Sequence, residues 1–339
     1  MRLPVFLLVV FNVIKLFSQD SLATAVATRG DGVYSLLRKN NIDPAKFYAA
    51  FIEANKNLIG EEEVLKAGQT YYLPDTITLS KAIDGNLKSS RNYPIFGPDF
   101  STVAVLGNRL AGTVYYLISG HGGPDPGAIE DYKGAIIAED EYAYDITLRL
   151  ARELIAQGAE VFLIIQDEDD GIRNERVLPL DTDEVTYPDL KIPLNQLERL
   201  QQRVEAVNKL YKENRSKYQR LLVTHIDSRS KGTNIDVFFY HHEKSTNGKR
   251  LAESIHQTFS KKYKRYQPNR GYKGTFADRS NLYLVKNTLP AMTYIEIGNI
   301  KNKKDQKRIL DPDNRQALAK WISEGILLDY EFENSKMRN

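Results

Sequence analysis

The sequence contains no cysteine. That absence excludes disulfides, thiolate catalysis and cysteine-ligated metal together. Any metal centre must therefore be built from His, Asp and Glu, and the only histidines are His121, His225, His241, His242 and His256. An excess of one charge is also missing: 47 basic residues stand against 44 acidic ones, a net charge of +3. So even a balance leaves no electrostatic footprint for nucleic acid. The basic run at Lys261, Lys262, Lys264 and Arg265 reads as the solvated end of a helix. Nowhere does an apolar run reach the roughly 20 residues that span a bilayer, so no membrane span is expected in the mature chain.

What is present begins with an address. Arg2 precedes an apolar stretch over residues 3–14, broken by Asn12 and closed by Lys15. A positive start followed by a short apolar run is the pattern of a secretory signal, here residues 1–19, with cleavage near Ser18 or Gln19. The alternative is an uncleaved anchor. The first reading predicts export to the periplasm or cell envelope. The 339 residues, 42% of them hydrophobic, suffice for a sizeable core and suggest about two domains.

Residues 25–75 form a compact α+β module. Gly30, Asp31 and Gly32 make a turn before a short helix at residues 33–39 with Leu36 and Leu37 inward. Pro44 suits the first turn of a second helix, which carries Phe47, Phe51 and Ile52 as its stripe and ends near Asn55. Gly68 and Gln69 then lead into a closing strand that ends at Leu73-Pro74. This pattern of Gly-Asp turn, helix, Asn and Gly-Gln-x-Tyr-x-Leu-Pro resembles a LysM module. The resemblance implies binding to N-acetylglucosamine-containing glycan, with Gly30, Asp31 and Asn55 as candidate glycan-site residues.

Residues 76–108 are polar and turn-rich and read as a linker, with an added edge strand near residues 102–106. From 109 to 332 strands and helices alternate. Strands are expected at 114–118, 161–165, 221–224, 235–240 and 291–297, and an extended segment at 282–285. Helices are expected at 140–157, 197–211, 250–259 and 315–328. Strands separated by helices of this length predict an α/β fold: a mixed, mostly parallel sheet with helices on both faces, preceded by the small α+β module. In such sheets ligands gather at the carboxyl ends of the strands.

His121 and His225 each follow a predicted strand, Glu139 heads the first long helix, and Glu296 lies inside the last apolar strand. A glutamate there is costly to bury without a partner or a task. Two histidines and one carboxylate leave an open position on zinc for water. Spacing alone does not separate this from structural roles for the same residues. The local motifs do. His121-Gly122-Gly123-Pro124-Asp125-Pro126-Gly127-Ala128 resembles the zinc signature of the N-acetylmuramoyl-L-alanine amidases of the amidase_3 family. The likeness continues through Arg203-x-x-x-x-Asn208, Val223-Thr224-His225-x-Asp227 and Tyr294-Ile295-Glu296-Ile297-Gly298-x-Ile300-x-Asn302.

The resemblance implies Zn2+ held by His121, Glu139 and His225, with Glu296 as the catalytic carboxylate. Glu141 is the competing ligand to Glu139, and the leucine stripe that follows favours Glu139. The implied reaction is hydrolysis of the amide between N-acetylmuramic acid and L-alanine in peptidoglycan. The partners are then the glycan strand, the stem peptide and, as a further candidate, an activator protein. Asp125 either orients His121 or caps the turn. Arg203, Asp227 and Asn299 are candidate supporting or substrate residues, Asp227 and Asn299 departing from the family's usual Asn and Phe. Two rivals are a non-catalytic peptidoglycan-binding scaffold and a zinc peptidase cutting within the stem. Residues 167–195 form a long connection opening on Asp167-Glu168-Asp169-Asp170, read as a lid, a docking loop or a plain insertion. The acidic run lacks the alternating spacing and Gly of a calcium loop.

Overall fold

The computed structural model describes residues 23–59, 64–76, 90–227, 237–267, 269, 272 and 274–338. The expected signal, residues 1–19, lies outside them. The chain divides into two compact units at Asp84/Gly85.

In the first unit, β1 (Thr24–Val26) pairs antiparallel with β2 (Thr70–Tyr72). Between them lie α1 (Val33–Lys39), α2 (Pro44–Ala54) and a short α3 (Lys56–Ile59). Leu36, Leu37, Phe47, Phe51 and Tyr71 close a core of their own. Gly30 sits at φ 92°, a left-handed turn position open to glycine. Asp31 accepts hydrogen bonds from the Thr28 amide and hydroxyl and pairs with Lys39. Burial opposes its charge, but the Lys39 hydrogen bond and then Thr28 bring its pKa down to about 2. Asn55, 1% exposed, donates to the carbonyls of Phe51 and Tyr72 and accepts from the Tyr72 amide, latching helix to strand.

The second unit opens with an antiparallel pair, β3 (Ser90–Asn92) and β4 (Thr102–Ala104). The strand expected near residue 102 is therefore real but pairs locally and does not join the main sheet. Among the described residues that sheet has six strands, which lie side by side in the order 275–278, 238–241, 292–299, 218–227, 113–119 and 160–163. β5 (Thr113–Ser119), β8 (Glu160–Leu163), β12 (Tyr218–Asp227) and β15 (Met292–Asn299) run parallel. β13 (Phe238–His241) runs antiparallel to β15 and carries β14 (Thr275–Asp278) beside it. Two small antiparallel sheets flank it. One is β6 (Ile129–Tyr132) with β7 (Ala135–Ala138); the other joins β9 (Ile165–Gln166), β10 (Val185–Thr186) and β11 (Leu190–Lys191). The single strand expected at 161–165 is thus divided at Ile164, where the chain leaves the main sheet.

β5 is buried along its whole length, as a parallel strand covered on both faces must be. Its alternate residues Val114, Tyr116 and Ile118 meet Leu221 and Val223 of β12. The same cluster takes in Val207 and Leu210 of α5 (Gln196–Glu213) and Leu284 and Val285 of α7 (Tyr283–Asn287). The opposite face is covered by α4 (Glu139–Ala156), whose Thr147 hydroxyl meets that of Thr224 on β12. α6 (Thr246–Tyr266) and α9 (Pro312–Arg338) complete that layer, and α8 (Lys303–Ile309) follows β15. Helices therefore stand on both faces. α7 replaces the extended segment expected at 282–285. A short run of apolar residues does not distinguish the two states by periodicity, and here the Lys286 and Thr288 amides donate four residues back, to Leu282 and Leu284.

Asp145, fully buried on α4, ties the layer together. It pairs with Arg149 at 2.7 Å and with Arg315 of α9 at 2.6 Å. Burial raises its pKa, but the two arginines outweigh that and hold it down to about 2.

Candidate metal centre

Parallel β5 and β12 end side by side, so the residues at their carboxyl ends share one edge. His121 follows β5 with φ 64°, a left-handed conformation uncommon outside glycine. Arg203 of α5 is buried and donates from Nη2 to the His121 carbonyl at 2.6 Å, which holds that turn from below. Burial, then neighbouring Arg199, pulls the Arg203 pKa down to about 10.

Glu139 begins α4 and lies between the two imidazoles. Its Oε2 is 3.3 Å from His121 Nε2 and its Oε1 is 2.8 Å from His225 Nδ1. The same oxygens accept from the amides of Ala128 at 3.1 Å and Ile226 at 3.0 Å, which fix the carboxylate's plane. One ligand atom from each of the three residues lies within 4.8 Å of the others. Glu141 points elsewhere: its carboxylate pairs with Arg173 at 2.9 Å.

Asp125 sits at 3.1 Å from His121 Nδ1 and 2.7 Å from Arg199 Nη2. It thus engages one imidazole nitrogen and leaves the other facing Glu139, the arrangement by which carboxylates orient metal-binding histidines. Burial alone would lower the His121 pKa, but its hydrogen bonds to Asp125 and then to Glu139 carry it to about 10. Asp125 is held well below the usual carboxylate range, chiefly by its hydrogen bond to His121. For Glu139, burial raises the pKa and the two imidazoles more than reverse that. His225 is shifted the other way, burial favouring its neutral form.

Two glycines make the room. A side chain at Gly120 would come within 2.4 Å of the His225 ring. At Gly127, with φ 67°, it would stand 2.7 Å from His121 and 2.8 Å from Glu139. The donor set, two imidazoles and one carboxylate with a second carboxylate behind the first imidazole, fits a zinc ion in ligand type and number.

The centre opens into a cavity of about 320 Å³ whose wall includes Glu296, Asp227, Arg199 and Tyr294. His225 and Glu296 are register partners on β12 and β15, and Tyr294 stacks on the His225 ring at 4.6 Å. Asn299, which pairs in register with Asp227, is fully buried behind the wall and binds the Lys301 amide. His241, His242 and His256 lie away from this centre, on β13, just after it and on α6.

Sequence reasoning missed Arg199 and Glu184. Glu184 lies in the strap between β9 and α5 and accepts from the Gly123 amide at 2.6 Å, sixty-one positions away in the chain. Nothing local marks that pairing. The strap as a whole is packed down: Ile172, Leu178 and Ile192 are buried, and Ile192 lies against Gly123.

A six-stranded, mostly parallel α/β sheet with a His–Glu–His cluster at its carboxyl edge defines a hydrolase-type fold with a candidate metal centre. The chain belongs to the N-acetylmuramoyl-L-alanine amidase family, Amidase_3, whose sequence model matches residues 116–327. Among solved structures it is similar to the catalytic domain of CwlV, an N-acetylmuramoyl-L-alanine amidase from Bacillus (Paenibacillus) polymyxa var. colistinus. That match has 20% identity and a TM-score of 0.45, covering 63% of this chain and 96% of that one. It is also similar to the CwlD amidase of Clostridioides difficile, solved in complex with the GerS lipoprotein, with 20% identity, 65% and 98% coverage and a TM-score of 0.49. A third is the amidase AmiC2 of Nostoc punctiforme, with 19% identity, 65% and 97% coverage and a TM-score of 0.44. No curated protein sequence matches. Among the described residues no helix is long and apolar enough to cross a membrane.

Proposed function

We propose that the chain is a zinc-dependent peptidoglycan hydrolase that cleaves the amide joining N-acetylmuramic acid to L-alanine. The observation that carries this reading is the convergence of His121, Glu139 and His225 on one point, in a cavity whose wall includes Glu296. His121, Glu139 and His225 would hold a zinc ion, which would supply a Lewis acid for the amide carbonyl and lower the pKa of water toward roughly 7. Glu296, on the cavity wall, would act as the base that takes the proton from an attacking water and returns it to the departing amine of L-alanine. Asp125 holds His121 by its Nδ1, Arg203 holds the turn that carries it, and Asp227 lines the substrate side. Asn299, its register partner on β15, is buried and fixes the turn after that strand through the Lys301 amide.

The N-terminal unit, residues 25–75, is the wall anchor in this account. It would bind glycan on a frame shaped by Gly30, Asp31 and Asn55; of the expected linker at residues 76–108, the part from Gly85 onward belongs to the second unit. Residues 1–19 would direct export to the periplasm or cell envelope, where peptidoglycan lies. An activator protein is a further partner, tested by comparing digestion rates with and without envelope extract.

Elemental analysis tests the metal. The account expects one zinc per purified chain, lost in His225→Ala. A chain that cleaves peptidoglycan without any bound metal would overturn it.

A further inference from the structure

The acidic run that opens the strap has no calcium-loop spacing, yet the fold does not use it as a linear motif. The strap doubles back and brings Glu184 to the first turn of α4. One carboxylate oxygen each of Asp140, Glu141 and Glu184 lies within 4.8 Å of the other two, and all three residues are buried. Groups of the same spacing continue through Asp181 and Asp183 to Asp167. Three carboxylates this close, out of water, repel one another strongly unless protons or a cation lie among them.

The partners within the protein do not meet that need. Arg173 pairs with Glu141 and Asp170. Glu141 Oε1 accepts from the Asp181 amide at 3.1 Å, and Glu184 Oε2 from Gly123. Asp140 is 1% exposed; its Oδ1 accepts from the Glu141 amide, and its Oδ2 makes no hydrogen bond among the described residues. Asp181 Oδ1 is likewise buried and without a hydrogen bond among them. A dry carboxylate oxygen with no donor is left for a ligand to satisfy.

We propose that Asp140, Glu141 and Glu184 hold a calcium ion, at a site separate from the His121–Glu139–His225 centre. The donors are all oxygen, which selects hard cations over zinc. Magnesium keeps several of its waters and demands octahedral geometry, whereas calcium accepts irregular cages of carboxylates and carbonyls. The ion would tie three parts together. Asp140 follows Glu139 directly, Glu184 grips Gly123 two residues beyond His121, and the strap supplies Glu184 itself. Calcium would thereby brace the turn and the helix start that present two of the three zinc ligands.

The test uses the full, zinc-loaded chain, dialysed into calcium-free buffer containing zinc. Equilibrium dialysis against calcium, with elemental analysis, should find one calcium per chain and unchanged zinc. The thermal midpoint should rise with calcium concentration as ligand binding requires, and magnesium should bind at least tenfold more weakly. Asp140→Asn and Glu184→Gln should each weaken calcium binding at least tenfold. Absence of calcium uptake by the unaltered chain overturns the proposal without recourse to any variant. So do uptake that displaces zinc one for one, magnesium binding as tight as calcium, and full calcium affinity in both variants.

Discussion

His225 and Glu296 face each other across two adjacent parallel strands, β12 and β15, as direct register partners. Side chains at paired positions of neighbouring strands project to the same face, and a shift of one residue would send Glu296 to the other side of the sheet. The register is therefore what delivers a carboxylate into the same cavity as the His–Glu–His cluster, from a strand that contributes no ligand to it.

This separation of roles predicts that Glu296→Gln leaves the metal in place while removing the base. Zinc content should match the unaltered chain, and hydrolysis should fall by about 10²- to 10⁴-fold. Parallel zinc analysis and rate measurement check it. Activity near that of the unaltered chain would remove Glu296 from the mechanism.

Gly127→Ala should damage the centre itself. The added carbon would meet both His121 and Glu139 at under 3 Å, at a φ of 67° that only glycine adopts readily. Zinc retention after dialysis should drop at least tenfold, with the circular dichroism of the sheet preserved. Undiminished zinc binding would mean that the site tolerates more room than its geometry allows.

Asp125→Asn tests the orientation of His121. Loss of the carboxylate behind Nδ1 should weaken zinc affinity by about 10- to 100-fold, measured by competition with a chromophoric chelator. An unchanged affinity would limit Asp125 to holding Arg199.

The buried pairs of Asp145 bear on stability. Asp145→Ala leaves Arg149 and Arg315 without their carboxylate and should cost about 3–5 kcal/mol in denaturant unfolding. The folded pKa of about 2 lies below the ordinary 3.8, so the contribution of Asp145 is fully present above that ordinary value and fades as pH falls toward about 2. Acid unfolding of the unaltered chain should steepen in that window, and the variant should lack this component.

Much of the architecture was legible because its causes are local. β5 carries an apolar run over residues 114–118, β12 a shorter one over residues 221–223 and β15 apolar residues on either side of Glu296, while α4 and α5 carry stripes of helical period. His121, Glu139, His225 and Glu296 stood out because each follows, heads or interrupts such an element, three of them within a recognisable motif. What escaped has non-local causes. β13 runs against its neighbour for reasons that lie in the sheet as a whole. Leu284 and Val285 become helical because they pack under α5 on the β5–β12 face. Glu184 reaches Gly123 only after a strap of some length has folded back, and Arg199 reaches Asp125 from a separate helix.

The central claim is the bond that is cut. Purified peptidoglycan digested with the zinc-loaded chain, and in parallel with chelator and with Glu296→Gln, should be examined by mass spectrometry. The account predicts free stem peptides beginning at L-alanine, together with glycan bearing intact lactyl groups, and neither product in the two controls. Fragments cut within the stem peptide, or release of stem peptides that persists with Glu296→Gln, would contradict it.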